Sequence, residues 1–284
     1  MHPSLSPPSS SSLVFLPPLP TLDNPAPTNP SPAGSENSLF LPVIGSKTAL
    51  FLDFDGTVAE LAAQPEAVKI APDLVLILTQ LSVQLDGALA LVSGRPLKDL
   101  DGFLVPLRLP AAAEHGAQRR TVSGELVCLA APDLRRVISR LTAFTNEHSG
   151  LRLEIKSATV ALHYRHAPEL EPLCLQVMLE AVSATPGLEL LRGKCVIEIK
   201  PVGISKGSAI RSFMAEAPFA GRLPLFAGDD LTDEAGFTAV QLSGGEGIKV
   251  GEGATFAHYR CPAPAAVRAW LQNSLKGLTK RVGT

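Results

Sequence analysis

Three apolar runs, ALFLDFDGT, ALALVSGR and PLFAGDD, each stop abruptly at polar residues and glycine. Runs that short, apolar at successive positions instead of alternate ones, suit strands buried on both faces, which is the habit of a parallel sheet. Helix-like stretches separate them. From Lys47 onward the pattern predicts strand 49–54, helix 73–85, strand 88–92 and a short helix 97–103. It resumes with helix 208–215, strand 223–227, helix 233–240, strand 247–250 and a last helix 265–275. Alternating β and α elements of this kind specify an α/β fold with a parallel sheet.

The middle of the chain breaks the pattern. Residues 121–129 carry a Ser123-Gly124 turn, 134–145 have helical periodicity, and 151–164 read as two strands joined at Ser157-Ala158. A helix over 170–182 leads to a hairpin of 188–191 and 195–199 with Gly193 at its turn. The expectation is a core of 46–117 and 202–284 interrupted by an α+β insertion over 118–201, hinged near Gln118 and Pro201. The glycines at 244–245 and 251–253 lack the strand–GxxxxGK[ST]–helix setting of a phosphate loop and read as turns flanking an edge strand. Residues 1–45 are rich in proline and serine, with Asp23 and Glu36 as their only carboxylates and no Lys or Arg, and are expected to be a disordered tail.

In an open parallel sheet the reactive crevice lies at the carboxyl ends of the strands. Asp53 and Asp55 end the first strand, Ser93, Gly94 and Arg95 the second, Lys206 and Gly207 open a later helix, and Asp229 and Asp230 follow a third strand. Each motif alone is a common turn; their joint occurrence in order is what points to chemistry. Converging carboxylates without histidine or cysteine make a hard oxygen site, suited to Mg²⁺. A shared divalent ion would let Asp53 and Asp229 stay ionised side by side, while Lys206 and the Ser93 hydroxyl hold phosphate oxygens. Gly56 and Thr57 shape a turn whose N–H groups approach that phosphate. Asp53 is then placed for in-line attack on phosphorus, and Asp55 to protonate the leaving alcohol and later deprotonate water.

With 25 Lys and Arg against 27 Asp and Glu, the chain offers no broad basic field for nucleic acid or anionic lipid. No apolar run nears the roughly 20 residues needed to span a bilayer, and the apolar patch 13–16 lacks the basic region of a secretory signal. Cys128, Cys174, Cys195 and Cys261 show no CxxC spacing and sit in apolar stretches, which predicts reduced, buried thiols and a cytoplasmic protein.

The motifs DFDGT, SGR, the lysine of SKG, and GDD resemble the haloacid dehalogenase-like phosphatase superfamily. FLDFDGTVAEL, LVSGRPLKDL, AAEHGA, LEIKSATVALHYRHA, VIEIKPVGISKG, FAGDDLTDEAGF, GIKVGEGAT and AHYR, spread over 49–270, narrow the likeness to the trehalose-6-phosphate phosphatase family. Val58 stands where leucine is frequent, with no chemical consequence. The resemblance implies a haloacid dehalogenase-like Rossmannoid core with an inserted α+β cap. It implies a Mg²⁺-dependent release of phosphate from trehalose 6-phosphate through an aspartyl-phosphate. In that setting Asp53 is nucleophile and metal ligand, Asp55 acid/base and ligand through its carbonyl, Asp229 a further ligand and Asp230 a residue behind the ligands. Ser93, Gly94 and Lys206 bind phosphate. Sugar recognition falls to the loop Glu114-His115-Gly116 and to Glu154, Lys156, Arg165 and Glu198 of the cap, with Arg95 assisting. Read without the resemblance, those cap charges equally suit a solvated sheet face, and His163 and His166 are read as structural histidines. Functional pairing with a trehalose-6-phosphate synthase and a monomeric state are expected. Sucrose 6-phosphate or mannosyl-3-phosphoglycerate as substrate, and a non-catalytic partner that senses a sugar phosphate for a synthase, are the competing readings.

Overall fold

The computed structural model describes residues 41–282 except 63, 65, 66, 130 and 131. The first part of the chain forms β1 (Thr48–Leu52), α1 (Leu74–Gln84), β2 (Leu89–Val92), α2 (Leu97–Leu104), β3 (Ala111–Ala113), β4 (Gln118–Arg120) and β5 (Leu126–Cys128). Then come α3 (Arg135–Glu147), β6 (Arg152–Ile155), β7 (Val160–His163), α4 (Glu171–Ser183), β8 (Leu188–Gly193) and β9 (Val196–Pro201). The chain closes with α5 (Lys206–Met214), β10 (Leu223–Gly228), α6 (Glu234–Leu242), β11 (Glu246–Val250), β12 (Tyr259–Cys261) and α7 (Pro264–Val282).

Eight strands form one sheet in the order β12-β11-β10-β1-β2-β3-β4-β5, parallel from β12 to β3. β1 lies inside it, and all five of its residues are buried. Successive side chains of a strand point to opposite faces. Phe51 packs its ring on Phe213 of α5 and on Phe219, while its register partner Phe226 packs on Phe237 of α6. Leu50 and Leu52 therefore face the other side and are equally inaccessible, so both faces are covered. Burying such side chains supplies roughly 1.5–3 kcal/mol each before ordering costs.

Residues 118–128, expected inside the insertion, instead extend this sheet as antiparallel β4 and β5. The cause is local. Glu114 and His115 adopt left-handed backbone (φ +49 and +58), and the reversal they make returns the chain along β3 as a hairpin. The inserted part accordingly leaves the large sheet after Cys128 and returns between Pro201 and Lys206, so no crossing lies at Gln118.

The insertion is a four-stranded antiparallel sheet, β6-β7-β9-β8, packed against α3 and α4. It has its own core, in which Leu141, Val160, Leu162, Cys174, Met178, Ile197 and Ile199 are inaccessible. Gly193 is the last residue of β8 rather than the turn itself, which consists of Lys194 and the left-handed Cys195.

Three other expectations shift. The tail reading falls outside the described residues up to position 40, but Ile44 is buried in the main core and the Pro42 carbonyl accepts a hydrogen bond from the Trp270 indole at 2.9 Å. β11 is not the edge, since β12 pairs beyond it. All four thiols are free; Cys174 and Cys261 are buried and Cys195 partly so, whereas Cys128 is exposed because it lies on the terminal strand β5. Among the described residues no helix is long and apolar enough to cross a membrane.

Candidate active site

β10, β1, β2 and β3 are parallel neighbours, so the residues just past their carboxyl ends meet along one edge of the sheet. Asp53 follows β1, Ser93 follows β2, Glu114 follows β3 and Asp229 follows β10. The Asp53 carboxylate is buried and accepts a hydrogen bond from the Lys206 ammonium at 2.8 Å. Lys206 is the first residue of α5, fixed by a reciprocal cap between Ser205 and Ser208. Its ammonium also donates to Asp233 at 2.7 Å. Thr57 is buried with its hydroxyl 3.5 Å from Asp53.

Asp53, Asp229 and Asp233 each place a carboxylate oxygen within 4.8 Å of the others. By sequence pattern Asp233 is only a helix start. It is wholly buried, pairs with Lys206, and accepts hydrogen bonds from the backbone N–H groups of Asp229 and Asp230 at 2.9 and 3.0 Å. Asp230, expected behind the metal ligands, is instead an exposed cap whose carboxylate accepts from the Thr232 N–H and hydroxyl. The spacing in GDDLTD held the signal: an acid four residues after Asp229 caps the turn that carries it.

Gly56 lies between these groups at φ +72, and a Cβ on it would sit 2.1 Å from an Asp229 oxygen. Only glycine permits that approach of loop to carboxylate. Asp55, two residues past Asp53, lines a cavity of about 440 Å³. Both its oxygens are held by Arg95, through Nε at 2.5 Å and Nη2 at 2.8 Å, and the guanidinium rests over the Phe103 ring. The Ser93 hydroxyl accepts from the Arg95 N–H at 3.2 Å.

The far wall of the cavity is the sheet of the insertion, and three contacts join it to the core. The Glu114 carboxylate accepts from the Ser157 N–H, the Ser157 hydroxyl and the Ala158 N–H at 3.1, 2.8 and 3.0 Å. Lys156 donates to the Gly94 carbonyl at 3.1 Å and to Glu198 at 3.0 Å. Glu198 reaches the His115 ring at 3.2 Å and also accepts from the Thr159 hydroxyl. Burial opposes the charge on Glu198, but Lys156 and His115 outweigh it and hold the carboxyl below the usual carboxylate range. Gly94 is where the His115 ring needs room, because a Cβ there would lie 2.6 Å from two of its atoms. Gly116 completes the reversal at φ +109. Glu154 pairs with His163 at 2.9 Å, and Arg165 lines the cavity from an exposed position.

Burial pushes both Asp53 and Asp229 up to about 7, with Lys206 offsetting only part of it. The carboxylates Asp53, Asp229, Asp230 and Asp233 thus outnumber the buried ammonium groups of Lys206 and Lys249, which donates to the Asp229 carbonyl. A carboxylate whose folded pKa lies above its unfolded value near 3.9 binds more protons folded than unfolded across that interval. Stability contributed by the protonated forms is full below about 4 and is lost as pH rises through about 7. Thermal melts of metal-stripped protein are therefore expected to show a falling melting temperature from pH 5.5 to 8, which added divalent cation reverses at pH 8. A melting temperature that rises over that interval would contradict the charge imbalance.

The chain matches the sequence profile of the trehalose-phosphatase family over residues 51–255. It is 42% identical over 233 residues to the trehalose-6-phosphate phosphatase of Escherichia coli (strain K12), spanning 81% of this chain and 88% of that one. The crystal structure of a trehalose-6-phosphate phosphatase related protein superposes with a TM-score of 0.69 at 29% identity, over 81% of this chain and 99% of the other. A haloacid dehalogenase-like hydrolase from B. subtilis shares the fold at a TM-score of 0.60 and 14% identity, over 79% of this chain and 99% of its own. With the profile match covering most of the described fold and the E. coli relative aligned over most of both chains, this chain belongs to the trehalose-phosphatase family and has a haloacid dehalogenase-like fold.

Proposed function

We propose that the chain hydrolyses trehalose 6-phosphate to trehalose and phosphate, with Asp53 as the nucleophile. The observation that carries this reading is a buried carboxylate at a strand end, gripped by Lys206, beside a cavity whose opposite wall is the polar face of the inserted sheet. A volume of about 440 Å³ falls in the range of small-molecule sites, about 300–1,000 Å³.

Asp53 Oδ attacks phosphorus and the bond from phosphorus to the sugar oxygen breaks. Asp55 supplies the proton to that oxygen, then takes one from the water that opens the aspartyl-phosphate and frees phosphate. Arg95 holds both Asp55 oxygens, so one of those bonds opens before the carboxyl carries a proton. Lys206 balances charge on the transferring phosphoryl group, and Ser93 holds it in place. Glu154, Lys156, Glu198 and the Glu114-His115-Gly116 turn bind the sugar hydroxyls and shut out water.

The donor set fits a divalent cation. It is all oxygen, Asp53, Asp229 and Asp233 bring carboxylate oxygens within 4.8 Å of one another, and burial raises both Asp53 and Asp229. Asp53 and Asp229 would hold Mg²⁺, aided by the Asp55 carbonyl, while Asp233 is occupied with Lys206 and two backbone N–H groups. Bound there, the ion neutralises charge on the phosphoryl group. Phosphate release from trehalose 6-phosphate is expected to be lost in chelator and restored by Mg²⁺. Release that persists in chelator would remove the metal from the proposal, and no release with Mg²⁺ would remove the activity. Free thiols at all four cysteines support a cytoplasmic setting, and the substrate itself places the chain after a trehalose-6-phosphate synthase.

A further inference from the structure

Lys200, Lys206 and Lys249 are all buried, and their partners differ. Lys206 pairs with Asp53 and Asp233, and Lys200 pairs with Glu189. Among the described residues Lys249 has no side-chain carboxylate within ion-pair distance; its ammonium donates to the main-chain carbonyl of Asp229. Taking an ammonium out of water for one carbonyl opposes folding, so this contact calls for a reason other than stability.

The strand explains how the lysine gets there. Lys249 lies in β11 opposite Gly228, the last residue of β10. Two residues earlier Gly247, opposite Phe226, faces α6, where a Cβ on it would lie 3.0 Å from the Phe237 ring. Lys249 shares that face by strand alternation, while Ile248 and Val250 point to the other and belong to the main core. Its ammonium meets the first peptide beyond the end of β10.

That contact completes a clamp on Asp229. The Asp229 carbonyl and the Asp230 N–H are the two ends of one planar peptide unit. Lys249 holds the carbonyl end, and Asp233 accepts from the N–H end at 3.0 Å. Asp233 also accepts, at 2.9 Å, from the Asp229 N–H, which belongs to the preceding peptide. Both peptides flanking the Asp229 Cα are therefore fixed, and with them the direction of its Cα–Cβ bond. The carboxylate so directed stands where a Cβ on Gly56 would come within 2.1 Å of it, and within 4.8 Å of the Asp53 and Asp233 oxygens. Without Lys249 the second peptide is held at its N–H end only.

We propose that Lys249 is a positioning residue for the cation site: by locking the Asp229–Asp230 peptide it aims the Asp229 carboxylate, and it thereby makes the site favour Mg²⁺ over larger divalent cations. Mg²⁺ demands near-ideal octahedral geometry at about 2.0–2.1 Å, whereas Ca²⁺ accepts a looser shell at about 2.3–2.6 Å. A carboxylate free to turn therefore weakens Mg²⁺ more than Ca²⁺. The lysine charge acts differently, since it repels two divalent ions alike. This role rests on the cation site proposed above and not on the identity of the sugar.

The test is a pair of titrations, with Mg²⁺ and with Ca²⁺, read by melting temperature at pH 8 and fixed ionic strength on wild type, Lys249→Met and Lys249→Gln. Removing the lysine charge moves both midpoints together, so the ratio of the Mg²⁺ midpoint to the Ca²⁺ midpoint reports geometry. That ratio is expected to rise about 10-fold in Lys249→Met, the scale on which residues behind metal ligands act. Lys249→Gln, whose amide nitrogen stands one atom short of the lysine ammonium, is expected to shift it in the same direction and carries the test if the methionine variant does not fold. Val250→Ala loosens the same strand from its opposite face and is expected to leave the ratio at the wild-type value. A ratio within about 2-fold of wild type in the lysine variants would overturn the proposal, whichever way the separate midpoints move. So would an equal rise in Val250→Ala, which would mark general loosening of the strand. A wild-type melting temperature that does not respond to Mg²⁺ would remove the cation site itself and this role with it.

Discussion

Asp53→Asn is expected to abolish phosphate release while leaving the fold intact. The asparagine keeps the shape of the side chain but has no anionic oxygen to attack phosphorus, and loss of a nucleophile cannot be made good by positioning alone. A fall of at least about 10⁴-fold in kcat is expected. Stability should move the other way. Burial holds the Asp53 carboxyl up at about 7, so its charged form is a burden on the fold at pH 8. The amide removes that burden, and Lys206 keeps its second partner, Asp233, at 2.7 Å. Melting of metal-free protein at pH 8 should therefore occur at the wild-type temperature or above it. Turnover above about one-hundredth of wild type in a homogeneous preparation would rule out Asp53 as the nucleophile, because general acid–base and charge effects alone do not replace a missing nucleophile.

Lys206→Met is expected to remove activity and stability together. The Lys206 ammonium is almost wholly inaccessible and bridges Asp53 and Asp233, and although burial disfavours its charge, those two carboxylates keep it protonated well above the usual lysine value. Methionine fills similar space but leaves two buried carboxylates facing one another. Removing one partner of a buried ion pair costs about 3–5 kcal/mol. The cost should depend on pH, because Asp53, already raised to about 7 by burial, and Asp233, which burial also raises well above the ordinary value, can discharge by taking up protons. The variant is accordingly expected to lie closest to wild-type stability below pH 6 and furthest from it at pH 8. Denaturant titrations at the two pH values measure this. A deficit that is equal at both, or larger at pH 6, would contradict the bridging role of Lys206. Asp53→Asn thus separates chemistry from folding, and Lys206→Met couples them.

The core was legible because its strands declare themselves. TALFL and LALV are apolar throughout, as strands covered on both faces must be, and each stops where a candidate site residue, Asp53 or Ser93, begins. β4 was not legible. Its residues are Gln118, Arg119 and Arg120, which read as surface, yet Arg120 is buried because its guanidinium meets Asp101 at 2.7 and 2.8 Å and the Leu109 carbonyl at 2.8 and 3.0 Å. Those partners come from other segments, and no pattern within 118–128 records them. The same holds for Asp233. An acid at a helix start is ordinarily a cap, and only the fold shows that Lys206 arrives from 27 residues away to pair with it.

The join between core and cap was legible in its residues and not in its geometry. The family resemblance implies sugar binding for Glu114, His115, Lys156 and Glu198. In the structure they also bond to one another or to backbone across the seam, with Glu114 holding the Ser157 and Ala158 N–H groups 43 and 44 residues away. Two demands therefore fall on the same side chains. If these side chains bind the sugar as proposed, its hydroxyls would compete with a seam that is already satisfied, and cap opening is then expected to be part of recognition. The pairing of Lys156 with Glu198 shows the scale of that competition, since both groups are buried and each has another partner on the seam.

The measurement that bears most directly on the central claim is the initial rate of phosphate release with Mg²⁺ from equal concentrations of trehalose 6-phosphate, sucrose 6-phosphate and glucose 6-phosphate. The polar wall formed by Glu154, Lys156 and Glu198 is expected to favour trehalose 6-phosphate over both by at least about 100-fold in kcat/KM, the scale on which sites that hydrogen-bond hydroxyls discriminate. Equal rates on all three esters would contradict the account.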